Sequence, residues 1–276
     1  MTGEALAAAH AGHGGLSLDA VLVLCAAIAT AAYLAGTVAS RRRGRPWPLH
    51  RAVLWCAGIA AATISVAGPL AQATHESFVA HTWAHLLGGM LAPLLLALAA
   101  PVTLALRSLA PTPARRISRL LRSLPARFLV HPVTAAVLTA GGLWLIYLTP
   151  VHDAMRASAL VHILVHGHLL LAGFVFAVAI LSTEPSPHRA PRVLRAVVLI
   201  LAVASHAILA KHLYAHPPAG LAVDDVRAGA QLMYYAGAGI EAALIALFCA
   251  GWYREAGRAR TRGGEGRDAP LARLDG

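Results

Sequence analysis

Apolar residues run along this chain in long blocks with hardly a charge inside them, near 18–40, 52–71, 79–106, 132–149, 158–182, 193–215 and 228–252. A helix needs about 20 mostly apolar residues to cross a bilayer, and only helices or closed barrels satisfy their backbone there. Ten-residue stretches of alternating polarity, the mark of a membrane barrel, are absent, and Ala/Leu runs dominate. The pattern predicts an all-α, polytopic transmembrane bundle of seven helices. Composition agrees, with 58% of residues hydrophobic and 13% charged, against about a quarter charged in soluble domains.

The polar positions between the blocks set an orientation. With seven spans, all of the 23 basic residues except Arg156, Lys211 and Arg227 fall on one side. They lie in the first, third and fifth connections and after Arg254. By the positive-inside rule that side is cytoplasmic, which puts the N-terminus outside and the C-terminus in the cytoplasm. The formal charge of +11 is thereby a topology signal, and nucleic acid is not an expected partner. The first block has a His- and Gly-bearing leader before it and Arg41, Arg42, Arg43 and Arg45 after it. That is the reverse of a cleavable signal's charge order, so the block reads as a first spanning helix. The expected organisation is an outer leader over 1–17, a membrane domain over 18–253 and a disordered cytoplasmic tail over 254–276. Within the basic connection 107–131, the run from Arg115 to Arg122 suits an amphipathic helix on the anionic leaflet or a solvated topological signal.

Histidine changes the picture. Of the 15 histidines, only His50, His131 and His188 fall on the cytoplasmic side; the rest lie in outer loops or the outer halves of helices. Ionisable residues in spanning segments are costly and tend to be functional, and imidazole is the commonest transition-metal ligand. His81 and His85 are four apart, hence on one helix face about 6 Å apart along the axis. His162 and His166 repeat the spacing two helices later. Either pair suits convergence on one ion, or interhelical hydrogen bonding. His168 faces away from its neighbours. His206, inside the sixth helix, is a candidate further ligand or a hydrogen-bonded core residue, and His212 pairs at the same spacing with His216. His75 and His152 read as solvated loop residues, and His10 and His13 as a weak metal-catching leader.

Other residue types add less. Glu241 is the one carboxylate deep in a helix, roughly 20 Å from the start of the seventh, so it is expected to be neutral, paired or facing a polar cavity. Asp224 and Asp225 are expected to cap that helix. Met90 falls on the wrong face relative to His85; Met155 and Met233 fill gaps in the bundle. Gly88 and Gly89 read as close-packing positions. Cys25, Cys56 and Cys249 are isolated and read as small buried apolar residues, with no Cys-x-x-Cys pair to support a disulfide or thiolate metal site.

Three stretches carry a resemblance: His81-Thr82-Trp83-Ala84-His85 through Gly88-Gly89 to Pro93 and on to Ala100-Pro101-Val102-Thr103-Leu104; His162-Ile163-Leu164-Val165-His166-Gly167-His168; and Arg227 to Gly237 with Glu241. Together they resemble the CtaG-type cytochrome c oxidase assembly factors, over roughly residues 18–253 and with that family's seven-helix layout. The last stretch departs from the family pattern, since Asp225 is followed by Val226 and Gly229-Ala230 stands where many relatives have Gly-Gly. The resemblance implies a bacterial inner-membrane protein, not an enzyme, that helps assemble a haem-copper oxidase by binding or delivering copper. Its implied partners are oxidase subunits, membrane lipids and a periplasmic copper donor. Carried over to this sequence, the metal ligands are His81, His85, His162 and His166, with Glu241 and Gln231 as second choices; the placement of His206 and His212 adds them to a further metal or polar site. The paired histidines leave a bis-histidine haem protein as the alternative. A zinc hydrolase is disfavoured because Thr82 and Trp83 stand where an acidic base would be needed, and a metal permease finds support only in Glu241.

Overall fold

A computed structural model of the chain describes residues 17–185 and 189–265. Among the described residues there is no strand. Seven apolar helices follow in order: α1 Leu18–Arg42, α2 Leu49–Ala73, α3 Phe78–Ser108, α4 Pro132–Leu148, α5 Ala159–Leu181, α6 Arg192–Ala215 and α7 Val223–Gly257. Six are long and apolar enough to cross a membrane, and α4 is shorter. The last helix continues to Glu265, past the boundary expected at 253. Its continuation carries four arginines with Ala and Glu, which are good helix formers, and the helix extends there despite Gly257, Gly263 and Gly264.

Three helices begin at one end of the bundle on a serine that caps them. Ser17 accepts from Ala20 N–H at 3.2 Å, Ser77 from Ala80 N–H at 3.3 Å and Ser158 from Val161 N–H at 3.5 Å. α7 begins at this end too. Its Asp225 carboxylate accepts from the Ser77 hydroxyl at 3.1 Å and from Phe78 N–H at 2.5 Å. Asp225 therefore caps α3 and not its own helix, contrary to the sequence expectation. The reason is its place inside the first turn of α7, which turns the carboxylate across to the neighbouring helix start.

α3 lies at the centre, packed on α1, α2, α5 and α7. Two sequence features shape it. Residues Leu86–Leu91 form a π-helical turn, with Ala92 N–H bonded to the carbonyl of Leu87. Pro93 follows directly; its ring would collide with the carbonyl four residues back in a regular helix, and the wider turn relieves this. Gly173 of α5 crosses here, since a Cβ on it would meet the Gly89 carbonyl oxygen and Pro93 Cγ, both at 2.8 Å. Further on, Ala100 takes a left-handed conformation (φ 52°) and a new helical segment starts at Pro101. The break is held from two sides. Tyr33 O–H donates to the Ala99 carbonyl at 2.7 Å, and Glu184 accepts from Val102 N–H, Thr103 N–H and the Thr103 hydroxyl at 2.7, 2.8 and 2.5 Å.

The basic connection after α3 is helical over Pro111–Leu121 and Leu124–Leu129. Its arginines are exposed, while Ile117 and Leu121 are half-buried. Cys25, Cys56 and Cys249 are exposed on the outside of the bundle, not buried as expected. A lone small residue in a wholly apolar helix carries no periodicity, so it faces lipid as readily as a neighbour.

Candidate metal centre

Five histidines are buried inside the bundle: His81 and His85 on α3, His162 and His166 on α5 and His206 on α6. The structure splits the four histidines singled out by spacing into two groups. Near the capped end, the His162 and His166 ring centroids are 4.4 Å apart and the His81 and His166 centroids 6.4 Å apart. His75, exposed in the loop before α3, stacks on His162 at 5.9 Å. The π turn follows immediately after His85, and that ring stands instead beside His206 of α6, 5.9 Å between centroids. His206 Nδ1 in turn lies 3.1 Å from Glu241 Oε1 of α7. The deep carboxylate is thus paired, one of the alternatives expected of it; the cavity it lines is walled mostly by apolar side chains and is not the polar one.

The imidazoles lack what buried polar groups ordinarily have. Both ring nitrogens of His85 and of His166, and Nε2 of His206, are buried without a hydrogen-bond partner. Leaving a buried donor or acceptor unmet costs about 1–3 kcal/mol each, so such groups call for an explanation. Glycines have made room for the rings. A Cβ at Gly89 would stand 3.0 Å from His85 Nδ1, and one at Gly237 would stand 2.5 Å from His206 Cε1. Gly88 and Gly89 are close-packing positions, as expected. Gly88 lies against Ser65.

A metal–imidazole bond of about 2.0–2.1 Å places two rings that share an ion with centroids within roughly 6–6.5 Å. The neighbouring pairs in both groups meet that limit. Among the described residues no three His, Cys, Asp or Glu side chains are gathered as a metal site. The ring separations leave room for an ion between a pair of imidazoles, but the described residues form no closed cage.

Two cavities reach the imidazoles. One, of about 90 Å³, is lined by His85, Met90, Thr139, Trp144, His206 and Glu241 among others. The second, of about 270 Å³, runs between α1, α2, α3 and α5 to His166. Met90 shares the first cavity with His85, which corrects the sequence reading that set them on different faces. The cause is the π turn between them, whose i→i+5 bonding inserts a residue and rotates everything beyond it. Gly88-Gly89 followed by Pro93 was the signal for that turn.

The remaining candidates lie elsewhere. His168 Nε2 is 3.1 Å from the Leu138 carbonyl oxygen, the separate packing contact expected of it. His212 packs on His216 and Trp144, with centroids at 4.8 and 6.2 Å, and Gln231 is exposed on α7. Met155 and Met233 are core residues, 3% and 0% exposed. His10, His13 and His188 lie outside the described residues, as does the His152 side chain.

An uncharacterized protein of Mycobacterium leprae is 33% identical over 196 residues, which are 68% of this chain and 30% of that protein. An uncharacterized protein of Mycobacterium tuberculosis is 34% identical over 180 residues, 63% of this chain and 27% of that protein. The chain thus spans less than a third of the length of these curated relatives. No solved structure matches it significantly. The family model for cytochrome c oxidase caa3 assembly factors (Caa3_CtaG) matches residues 31–255, and the chain belongs to that family.

Proposed function

We propose that this membrane protein assists assembly of cytochrome c oxidase by holding copper between imidazoles where α3 and α5 begin, without catalysing a reaction. In this reading that end of the bundle faces the outside of a bacterial inner membrane, where a periplasmic donor supplies copper and oxidase subunits receive it. The observation that carries it is His166. Its ring stands between those of His162 and His81, and neither nitrogen has a hydrogen-bond partner although the residue is 4% exposed. An imidazole kept bare in a packed bundle is suited to take a ligand that comes and goes. Only the neutral ring ligates, so capture weakens as the solution is acidified.

Imidazole alone suits copper, zinc, iron and nickel; copper is preferred because the family serves an oxidase. Haem finds less support. The cavities beside the rings, about 90 and 270 Å³, are smaller than the roughly 300–1,000 Å³ of pockets for drug-sized ligands, and a haem needs more. The test is elemental analysis with a visible spectrum on the detergent-purified chain after copper loading, beside a His81→Ala/His166→Ala variant. Copper retained without a Soret band, and reduced in the variant, is the expected result. Unchanged copper in the variant would sink the site, and a Soret band would transfer the function to haem.

A further inference from the structure

Glu241 has no role in the copper-holding pairs near the capped end, yet it is the carboxylate most deeply placed along α7. Its Oε1 lies 3.1 Å from His206 Nδ1, and the opposite ring nitrogen, Nε2, is buried without a partner. A histidine that binds a metal through one nitrogen nearly always gives its other N–H to a carboxylate or carbonyl, which fixes the tautomer and aims the free lone pair. A purely structural His–Glu pair between α6 and α7 has no need of an open, buried Nε2. Nor would it need Gly237, which stands where a Cβ would run into the His206 ring at 2.5 Å.

Two further donors face the same space. His85 comes from α3, its ring 5.9 Å from that of His206 and both nitrogens without partners. Met90, within the π turn Leu86–Leu91, lines the same cavity and is the residue there that carries a thioether. Two imidazoles and a thioether form a soft donor set, and thioether sulfur selects Cu(I) over hard cations. The carboxylate beside His206 offsets the positive charge that such an ion brings into the bundle.

We infer that the chain carries a second, deeper cation site in the mostly apolar cavity of about 90 Å³ that His85, Met90, His206 and Glu241 help to line. His206 Nε2, His85 and Met90 are its ligands for Cu(I), and Glu241 is the positioning residue that orients His206. The site's ligands are different residues from the pairs formed by His81, His162 and His166, although His85 lies near His166 as well; only the choice of copper as the ion rests on the proposed function.

The experiment loads the full chain in detergent with Cu(I) against a competing chelator. It reads stoichiometry, affinity and the copper X-ray absorption spectrum. Four variants are compared with wild type, each first checked for helicity and monodispersity. Wild type is expected to bind copper at two sites, one with a sulfur neighbour. Met90→Leu should remove the sulfur signal, and His206→Ala should lose the deep copper while keeping the other. Glu241→Gln, the variant safest for folding, should weaken the deep site by roughly 10- to 100-fold. His81→Ala/His166→Ala should keep the sulfur-coordinated copper. A wild-type spectrum without sulfur, or one that Met90→Leu leaves unchanged, overturns the deep site, as does full copper retention by His206→Ala. If copper is lost only in His81→Ala/His166→Ala, the deep site fails and the proposed function stands. If it is lost only in His206→Ala and Met90→Leu, the deep site stands and the pairs near the capped end fail.

Discussion

Glu184 and His166 are buried to a similar degree, 8% and 4% exposed, at opposite ends of the bundle, and they are treated in opposite ways. Glu184 accepts three hydrogen bonds from Val102 and Thr103, closing the break that Ala100 and Pro101 make in α3. Its neighbours follow suit. Arg195 donates to the Ile180 carbonyl and the Ser182 hydroxyl at 2.8 and 2.9 Å, and Glu255 takes Arg189 and Arg192. His166 and His85 make no hydrogen bond through either ring nitrogen. The arginine end uses its buried polar groups to join helices. The histidine end joins helices too, through Asp225 and the His206–Glu241 pair, but it leaves both ring nitrogens of His85 and His166 open, the arrangement expected where affinity is directed at something outside the chain.

The sharpest way to break this comparison is to remove the joint at the arginine end. Glu184→Ala leaves two backbone N–H groups uncapped in a buried site and should cost about 2–4 kcal/mol, read as a lower melting temperature in detergent. Glu184→Gln keeps an acceptor and should cost much less. Burial pushes the Glu184 carboxyl above the usual range, although its bonds to Thr103 and Val102 and the Arg51 charge pull it back. With the folded pKa above the unfolded one, the proton-linked stability is full below the unfolded value and is lost as pH rises through the folded one. Wild type should therefore gain stability on acidification through that window relative to Glu184→Gln. An equal pH response in both proteins would refute the assignment.

The histidine end should answer differently to a packing change. Gly237→Ala drives a Cβ to within 2.5 Å of His206 Cε1. Overpacking of this kind costs about 1–3 kcal/mol, and it should displace the ring from Glu241. Gly239 is the control, two residues along with nothing within 4 Å of its Cβ position. Gly239→Ala should be neutral or add up to about 1 kcal/mol, the helix propensity difference. Equal melting temperatures for the two variants would show that the glycine at 237 is not there for His206.

Much of this was legible in the sequence. Seven apolar blocks gave seven helices because length and hydropathy suffice for a span. The i,i+4 histidines gave buried rings on α3 and α5 because a face that is costly to bury is buried for a reason. The partners of those rings were not legible. Spacing put His81 with His85 and His162 with His166 on two helices that could stand side by side; which rings meet across helices, His81 beside His166 and His85 beside His206, depends on crossings such as that of Gly173 against Pro93, which spacing does not encode. Met90 was misplaced because 100° per residue holds only where the helix is regular, and the π turn is not. Asp225 was assigned to its own helix because sequence proximity is a poor guide when another helix start lies alongside.

A variant of His166 brings the comparison to its narrower point. If a ring with two bare nitrogens is kept for a ligand, the apo protein bears its cost, and His166→Leu should remove that cost at nearly constant volume. The expected result is apo stability unchanged or raised by about 1 kcal/mol, with copper capacity reduced.

The Asp225 cap should respond in the ordinary direction. Asp225→Ala removes the acceptor for Ser77 and Phe78 and should cost about 0.5–2 kcal/mol, as lost helix caps do. It also frees the turn that begins with Phe78, whose ring lies 5.9 Å from that of His81. Copper affinity near the capped end should fall modestly with it, while the deeper site, which shares only His85 with that segment and takes its other ligands from Met90 and α6, should lose less. An equal loss of affinity at both sites would mean that the segment Phe78–His85 carries His81 and His85 as one rod.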